Sequence, residues 1–158
     1  MSVAFRRDGD EEHLEPKFEI PIPSGPNLVT ARGKALIDEQ VRKFAAKLDA
    51  SADEPSREAA KRDLRYWQTR QITAEVMPQP VGDKIEFGTT VSFTLHGKQR
   101  TLSIVGSDEA DGASGLLSFT APLARALMNG EPGDLLPFGG KDDAIEVLAV
   151  TVLPNVPV

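Results

Sequence analysis

"ARGKALIDEQVRKFAAKLDA", residues 31–50, and "SREAAKRDLRYWQTRQITAEVMP", residues 56–78, are the stretches whose reading decides the fold. In the first, Ile37, Val41, Phe44 and Leu48 recur at steps of four, three and four, which lines them on one helix face. Thr30 stands just before it as an N-cap. In the second, Ala60, Leu64 and Trp67 keep the same step, Ile72 and Val76 drift to a neighbouring face, and Pro78 and Pro80 stop the run. Each helix carries one narrow apolar stripe and is otherwise charged. Two such helices joined by a short polar turn make an antiparallel hairpin. A narrow stripe suits a short two-stranded coiled coil projecting into solvent better than a helix laid on a sheet.

Downstream of the hairpin the apolar period falls to two. "KIEFG", "TVSFTLH", "RTLSIV", "GLLSF" and "AIEVLAVTVL" read as strands, most clearly at Val91, Phe93 and Leu95. His96 to Gln99 is a tight hairpin turn, and "EPGD" is another turn. "APLARALMNG" is a short helix with Pro122 in its first turn and Gly130 past its end. Four or five mostly antiparallel strands with one short helix on a face make an α+β domain. Upstream, "EPKFEIPIPSGPN" alternates Phe18, Ile20 and Ile22, but Pro21 and Pro23 cannot donate backbone hydrogen bonds. An extended arm, an edge strand or a tail ordered only where it finds a groove is what those prolines allow. The organisation expected is therefore an N-terminal extension over 1–28, a helical hairpin over 29–78 and a sheet domain over 81–155.

Composition narrows the function. The 158 residues contain no cysteine, which removes disulfides, thiolate metal sites and a cysteine nucleophile. The N-terminus lacks the apolar core of a secretory signal, and no apolar run approaches the roughly 20 residues of a membrane span. A cytoplasmic protein with no membrane partner is expected. The net charge of −6 is unevenly spread, with only residues 31–80 on the basic side. That balance argues against autonomous DNA binding, which needs a strongly basic face. His13 and His96 are isolated, without paired metal spacing, and no phosphate-binding loop, nucleophile elbow or zinc signature occurs. An enzyme with its own active site is not expected.

"FGTTVSFTL" (87–95) and "LSIVGSDEADGASGLLSFTAPLARALMNGEPGD" (102–134) resemble the C-terminal domain of the bacterial Gre transcript-cleavage and elongation factors. That family shows F-G-A-x-V, then I-V-G-x-D-E-A-D, then a serine-proline-isoleucine-alanine-arginine stretch, in this order and at this spacing. "LVTARGKAL" (28–36) resembles the opening of the family's first coiled-coil helix, and "EAAK" (58–61) an early segment of its second. The resemblance spans residues 28–153 and leaves the arm outside.

The resemblance implies an FKBP-like C-terminal domain that docks on the rim of the RNA polymerase secondary channel, with the coiled coil entering the channel. It implies a monomer with no cofactor of its own. Acidic residues at the hairpin tip would help hold a second Mg²⁺ in the polymerase's active site, so that backtracked RNA is cut near its 3′ end. A hard divalent cation held weakly by the polymerase gains oxygen ligands in that way. The tip acids here are Asp49, Asp53 and Glu54; the docking residues implied are Asp108, Glu109, Asp111, Thr120, Pro122 and Arg125.

Two departures bear on that picture. The family tip motif, D-L-S/T-E-N-A-E-Y, falls on "ASADEPSR" (50–57), so the first family carboxylate lands on Ala50 and the second on Asp53. Each arm of the hairpin is also about ten residues shorter than is usual, which at ~1.5 Å per residue holds the tip ~15 Å back. Metal ligation tolerates a few tenths of an ångström. The tip acids thus have a second reading, as helix starters: Ser51 and Glu54 spaced as a capping box, or Asp53 beside the helix dipole. Lys61, Arg62, Arg65 and Arg70 read as the wet face of the coiled coil, with RNA phosphates or polymerase acids as the alternative partner; Trp67 reads as core. Three functions compete: a cleavage stimulator, a channel-occupying regulator without cleavage, and an adaptor like the short-hairpin regulators of nucleoside diphosphate kinase.

Overall fold

A computed structural model describes residues 19–154. The expectations for residues 1–18, His13 and Phe18 among them, and for residue 155 concern positions outside that range. The fold is α+β, as expected, and opens with a short strand, β1 (Leu28–Val29). Two helices follow, α1 (Ala31–Ala50) and α2 (Glu54–Thr73), then β2 (Glu75–Val76). β1 and β2 pair in parallel, Leu28 opposite Glu75 and Val29 opposite Val76, and so clasp the two ends of the hairpin together.

Each helix has 20 residues, about 30 Å at 1.5 Å per residue. Thr30 caps α1 by accepting from the Gly33 N–H. The stripe is deepest near the base, where Ile37 is fully buried; Val41, Phe44 and Leu48 are half-buried against α2. Trp67 is likewise half-buried, edge-on to Tyr66 with ring centroids 5.0 Å apart. Ile72 and Val76, which drifted off the stripe in the sequence, are exposed.

The sheet domain contains β3 (Thr89–Leu95), β4 (Lys98–Val105), β5 (Leu116–Ser118), α3 (Pro122–Leu127), β6 (Leu135–Phe138) and β7 (Lys141–Val152). The strand order is β5-β4-β3-β7-β6, antiparallel except for the parallel β4–β5 pair. The β3–β4 turn is built on His96 and Gly97, both at positive φ, with Leu95 facing Lys98. Val91, Phe93, Ile104, Ile145 and Val147 form one sheet face and pack on Ala124 and Leu127 of α3.

The structure corrects three details. "KIEFG" is not a strand: Ile85 and Phe87 are core residues on a loop, held by exchange of backbone hydrogen bonds between Ile85 and residues 129–130. "LLPF", in which Pro137 hides the pattern, is the edge strand β6, where a proline is tolerated. After α3 the left-handed residue is Asn129 (φ 69°), with Gly130 buried beneath it.

Candidate functional site

The turn between the helices is a helix-starting device. Asp53 is the N-cap of α2, its carboxylate accepting from the Ser56 backbone N–H (3.2 Å) and the Ser56 hydroxyl (3.1 Å). Those bonds hold its carboxyl below the usual carboxylate range. Ser51 does not form the capping box its spacing suggested, because its hydroxyl donates back to the Lys47 carbonyl at 2.7 Å. Glu54 opens α2 with Pro55 behind it, and Arg57 closes the turn by donating to the Leu48 carbonyl. Asp49, Asp53 and Glu54 are all exposed. Among the described residues, no group of three or more acids or histidines is gathered closely enough to hold a metal ion.

At the other end of the hairpin lies a buried polar joint that the sequence reading did not assemble. Arg70, expected on the wet face, is 3% exposed. Its Nε donates to Asp108 at 2.6 Å, and its guanidinium donates also to the Asn27 Oδ1 at 2.7 Å. Asp108 accepts in addition from the Tyr66 hydroxyl at 2.5 Å, and Asn27 donates to the Arg70 carbonyl and the Thr73 hydroxyl. Burial and the bond to Asp108 push the Tyr66 phenol up to about 12. On the α1 side, Glu109 is 5% exposed and accepts from the Thr30 hydroxyl (2.7 Å) and from Arg32 (3.1 Å). Each of the two acids following Ser107 thus binds one helix of the hairpin.

Two glycines make that approach possible. A Cβ on Gly33 would lie 2.9 Å from the Glu109 Oε1, and one on Gly106 would lie 2.3 Å from the Leu28 carbonyl oxygen. No side chain fits at Gly106 without moving backbone. The joint therefore fixes where the stem leaves the sheet domain, while α1 and α2 spend their apolar stripes on each other.

The six expected docking residues separate accordingly. Asp108 and Glu109 turn inward, because the guanidiniums of Arg70 and Arg32 and the Thr30 hydroxyl draw both carboxylates to the hairpin base. Asp111 stays exposed and caps a single 3-10 turn, Gly112–Ser114, accepting from the Ala113 N–H and the Ser114 hydroxyl. Thr120 and Pro122 are exposed at the start of α3, and Arg125 is exposed in its last turn. A Ser107–Ser118 hydroxyl contact at 3.3 Å sets their segment beside the 106–111 loop.

Residues 79–152 match the family model "Transcription elongation factor, GreA/GreB, C-term". The chain is 34% identical over 136 residues to "Transcription elongation factor GreA" of Pseudomonas putida, covering 85% of this chain and 82% of that one. The chain belongs to the Gre family of transcription elongation factors. GreA of Desulfovibrio desulfuricans is 31% identical over 113 residues, or 69% of this chain and 68% of that one. Among solved structures, GreA factor homolog 1 of Thermus thermophilus aligns over 80% of this chain and 99% of its own, at 18% identity and a TM-score of 0.37. The family's hairpin and sheet domain are both present in this Gre-family chain, and no helix among the described residues is long and apolar enough to cross a membrane.

Proposed function

We propose that this Gre-family factor binds RNA polymerase at the rim of its secondary channel through the sheet domain and passes the hairpin into the channel, altering elongation. The observation that carries the reading is the stem itself: about 30 Å long, tied to the sheet domain at its base by buried groups from both helices, with its tip exposed. A helix pair built to cover the sheet would spend its apolar stripes there instead. Asp111, Thr120, Pro122 and Arg125 are the exposed residues we assign to the docking surface. On this reading any nuclease chemistry would be the polymerase's own, on the 3′ end of the RNA.

Two versions differ at the tip. In the cleavage-stimulating version, Asp49, Asp53 and Glu54 supply oxygens to the Mg²⁺ of the polymerase. In the channel-occupying version the tip only fills space, which is favoured by the use of Asp53 as the cap of α2. Stalled, backtracked polymerase complexes separate them. Asp53→Asn keeps a cap acceptor and removes the charge, so shortened RNA produced by the wild type and lost in this variant supports metal positioning. Altered elongation without shortened RNA supports occupancy. Transcription unchanged by either protein contradicts both.

A further inference from the structure

Asp108 and Glu109 ride on one stiff turn. The Gly106 carbonyl accepts from the Glu109 and Ala110 N–H groups at 3.2 and 3.1 Å. Asp111 then exchanges backbone hydrogen bonds with Leu116, at 2.9 and 3.0 Å, which ties the far end of the turn to β5. From this turn the two carboxylates part. Asp108 holds Tyr66 and Arg70, one turn apart on α2, while Glu109 holds the N-cap Thr30 and Arg32 at the start of α1. The Leu28 backbone lies against Gly106 too closely for any Cβ there, which gives the stem a bearing point on the same turn. β1 and β2 clasp the two helix ends together, so a pull on either helix moves the hairpin as one body.

We propose that Asp108 and Glu109 are positioning residues that aim the hairpin, each fixing one helix, so that the difference in reach between the two carboxylates places the tip. The proposal rests on the channel reading above. Packed helix axes lie about 8–10 Å apart, and the stem rises ~30 Å above its holds. A change of about 1 Å at one hold therefore moves the tip ~3 Å. An aspartate reaches ~1.5 Å less far than a glutamate, the length of one carbon–carbon bond. The order Asp-Glu, with the short arm to α2 and the long arm to α1, is thus part of the aim, and Glu-Asp is not its equivalent. Shortening the hold on α1 and lengthening that on α2 turn the stem in the same sense. Asp111, on the docking surface, follows two residues later and is fixed to β5 rather than to the helices, so the hairpin direction is set against the surface that docks.

The test exchanges the two acids in the full chain, Asp108→Glu/Glu109→Asp, which conserves charge and composition and changes only reach. Glu109→Asp alone is the milder variant and carries the test should the exchange fail to fold. The chain has no cysteine, so nitroxides on Ala52→Cys at the tip and, in turn, on Gln99→Cys, Asp83→Cys or Asp142→Cys give three tip-to-sheet distances by double electron–electron resonance. Glu109→Asp is expected to shift the tip by about 4–5 Å and the exchange by about twice that, with distributions as narrow as those of the wild type. Unmoved distances, or a broadened distribution about the wild-type mean, overturn the positioning role, because a hold that only stabilises gives those. A photo-crosslinker on Ala52→Cys then reports where the tip lies in RNA polymerase, and it is expected to mark different positions for the wild type and Glu109→Asp. A tilt in the free protein with identical crosslinks overturns the role in the complex while leaving channel binding intact. Failure of wild type and variants alike to bind polymerase overturns the channel reading and the aim with it.

Discussion

Asp108→Ala is the sharpest perturbation of the joint. In the folded protein the Asp108 side chain is 9% exposed and that of Arg70 is 3% exposed. Removing the carboxylate leaves a buried guanidinium that still donates to the Asn27 Oδ1 but has lost its charged partner, and strips the Tyr66 hydroxyl of the Asp108 acceptor. Breaking a buried ion pair from one side costs about 3–5 kcal/mol, because the surviving charge stays desolvated. Against a total stability of about 5–15 kcal/mol that is a large share. Arg70→Met/Asp108→Leu removes both charges together and should cost less than Asp108→Ala alone. Urea unfolding read by far-ultraviolet circular dichroism and by the fluorescence of Trp67, the single tryptophan, measures both variants. A loss under about 1 kcal/mol for Asp108→Ala, or a double variant worse than the sum of its singles, would refute the argument that this pair holds the hairpin.

Tyr66 is the single tyrosine, so phenolate absorbance titrates it alone; its midpoint should lie near 12 in the folded protein and fall on Asp108→Asn. A raised native value means the native state holds the proton longer. The stabilisation is complete below about pH 10, the unfolded value, and is lost as pH rises toward 12, which alkaline unfolding curves check. Gly33→Ala adds helix propensity yet drives a Cβ to 2.9 Å from the Glu109 Oε1; a net loss of about 1–3 kcal/mol is expected in chemical unfolding, and a gain would contradict the close approach. Asp53→Ala should fray the start of α2 in hydrogen exchange, whereas Asp53→Asn should not. In wild type the same cap is present above the unfolded carboxyl value of 3.8 and is lost as pH falls through the lower native value.

The hairpin was legible because a stripe at Ile37, Val41, Phe44 and Leu48 has one physical use, burial against a partner helix. The strands were legible wherever one face is buried, as at Val91 and Phe93. β6 was not, since Pro137 sits where an edge strand tolerates it and a sequence reader stops. "KIEFG" misled because Ile85 and Phe87 are buried by tertiary contact on a loop, outside any ladder. The joint was missed because its members, Asn27, Arg70 and Asp108, are separated by 38 to 43 positions in the chain. One signal was available: Arg70 lies three residues beyond Trp67, on the apolar stripe itself, where a charge has to be paired. The tip was legible only as two alternatives, and the geometry of Asp53 supplies the capping half, which is why it favours the channel-occupying version.

Competition for RNA polymerase tests the central claim most directly. Labelled protein bound to core polymerase should be displaced by an authentic GreA from the same cell at matching concentrations, and it should displace GreA in return. Binding to a site that GreA leaves untouched, or a pull-down in which polymerase never appears, would contradict a stem made for that channel and return the adaptor reading to the front.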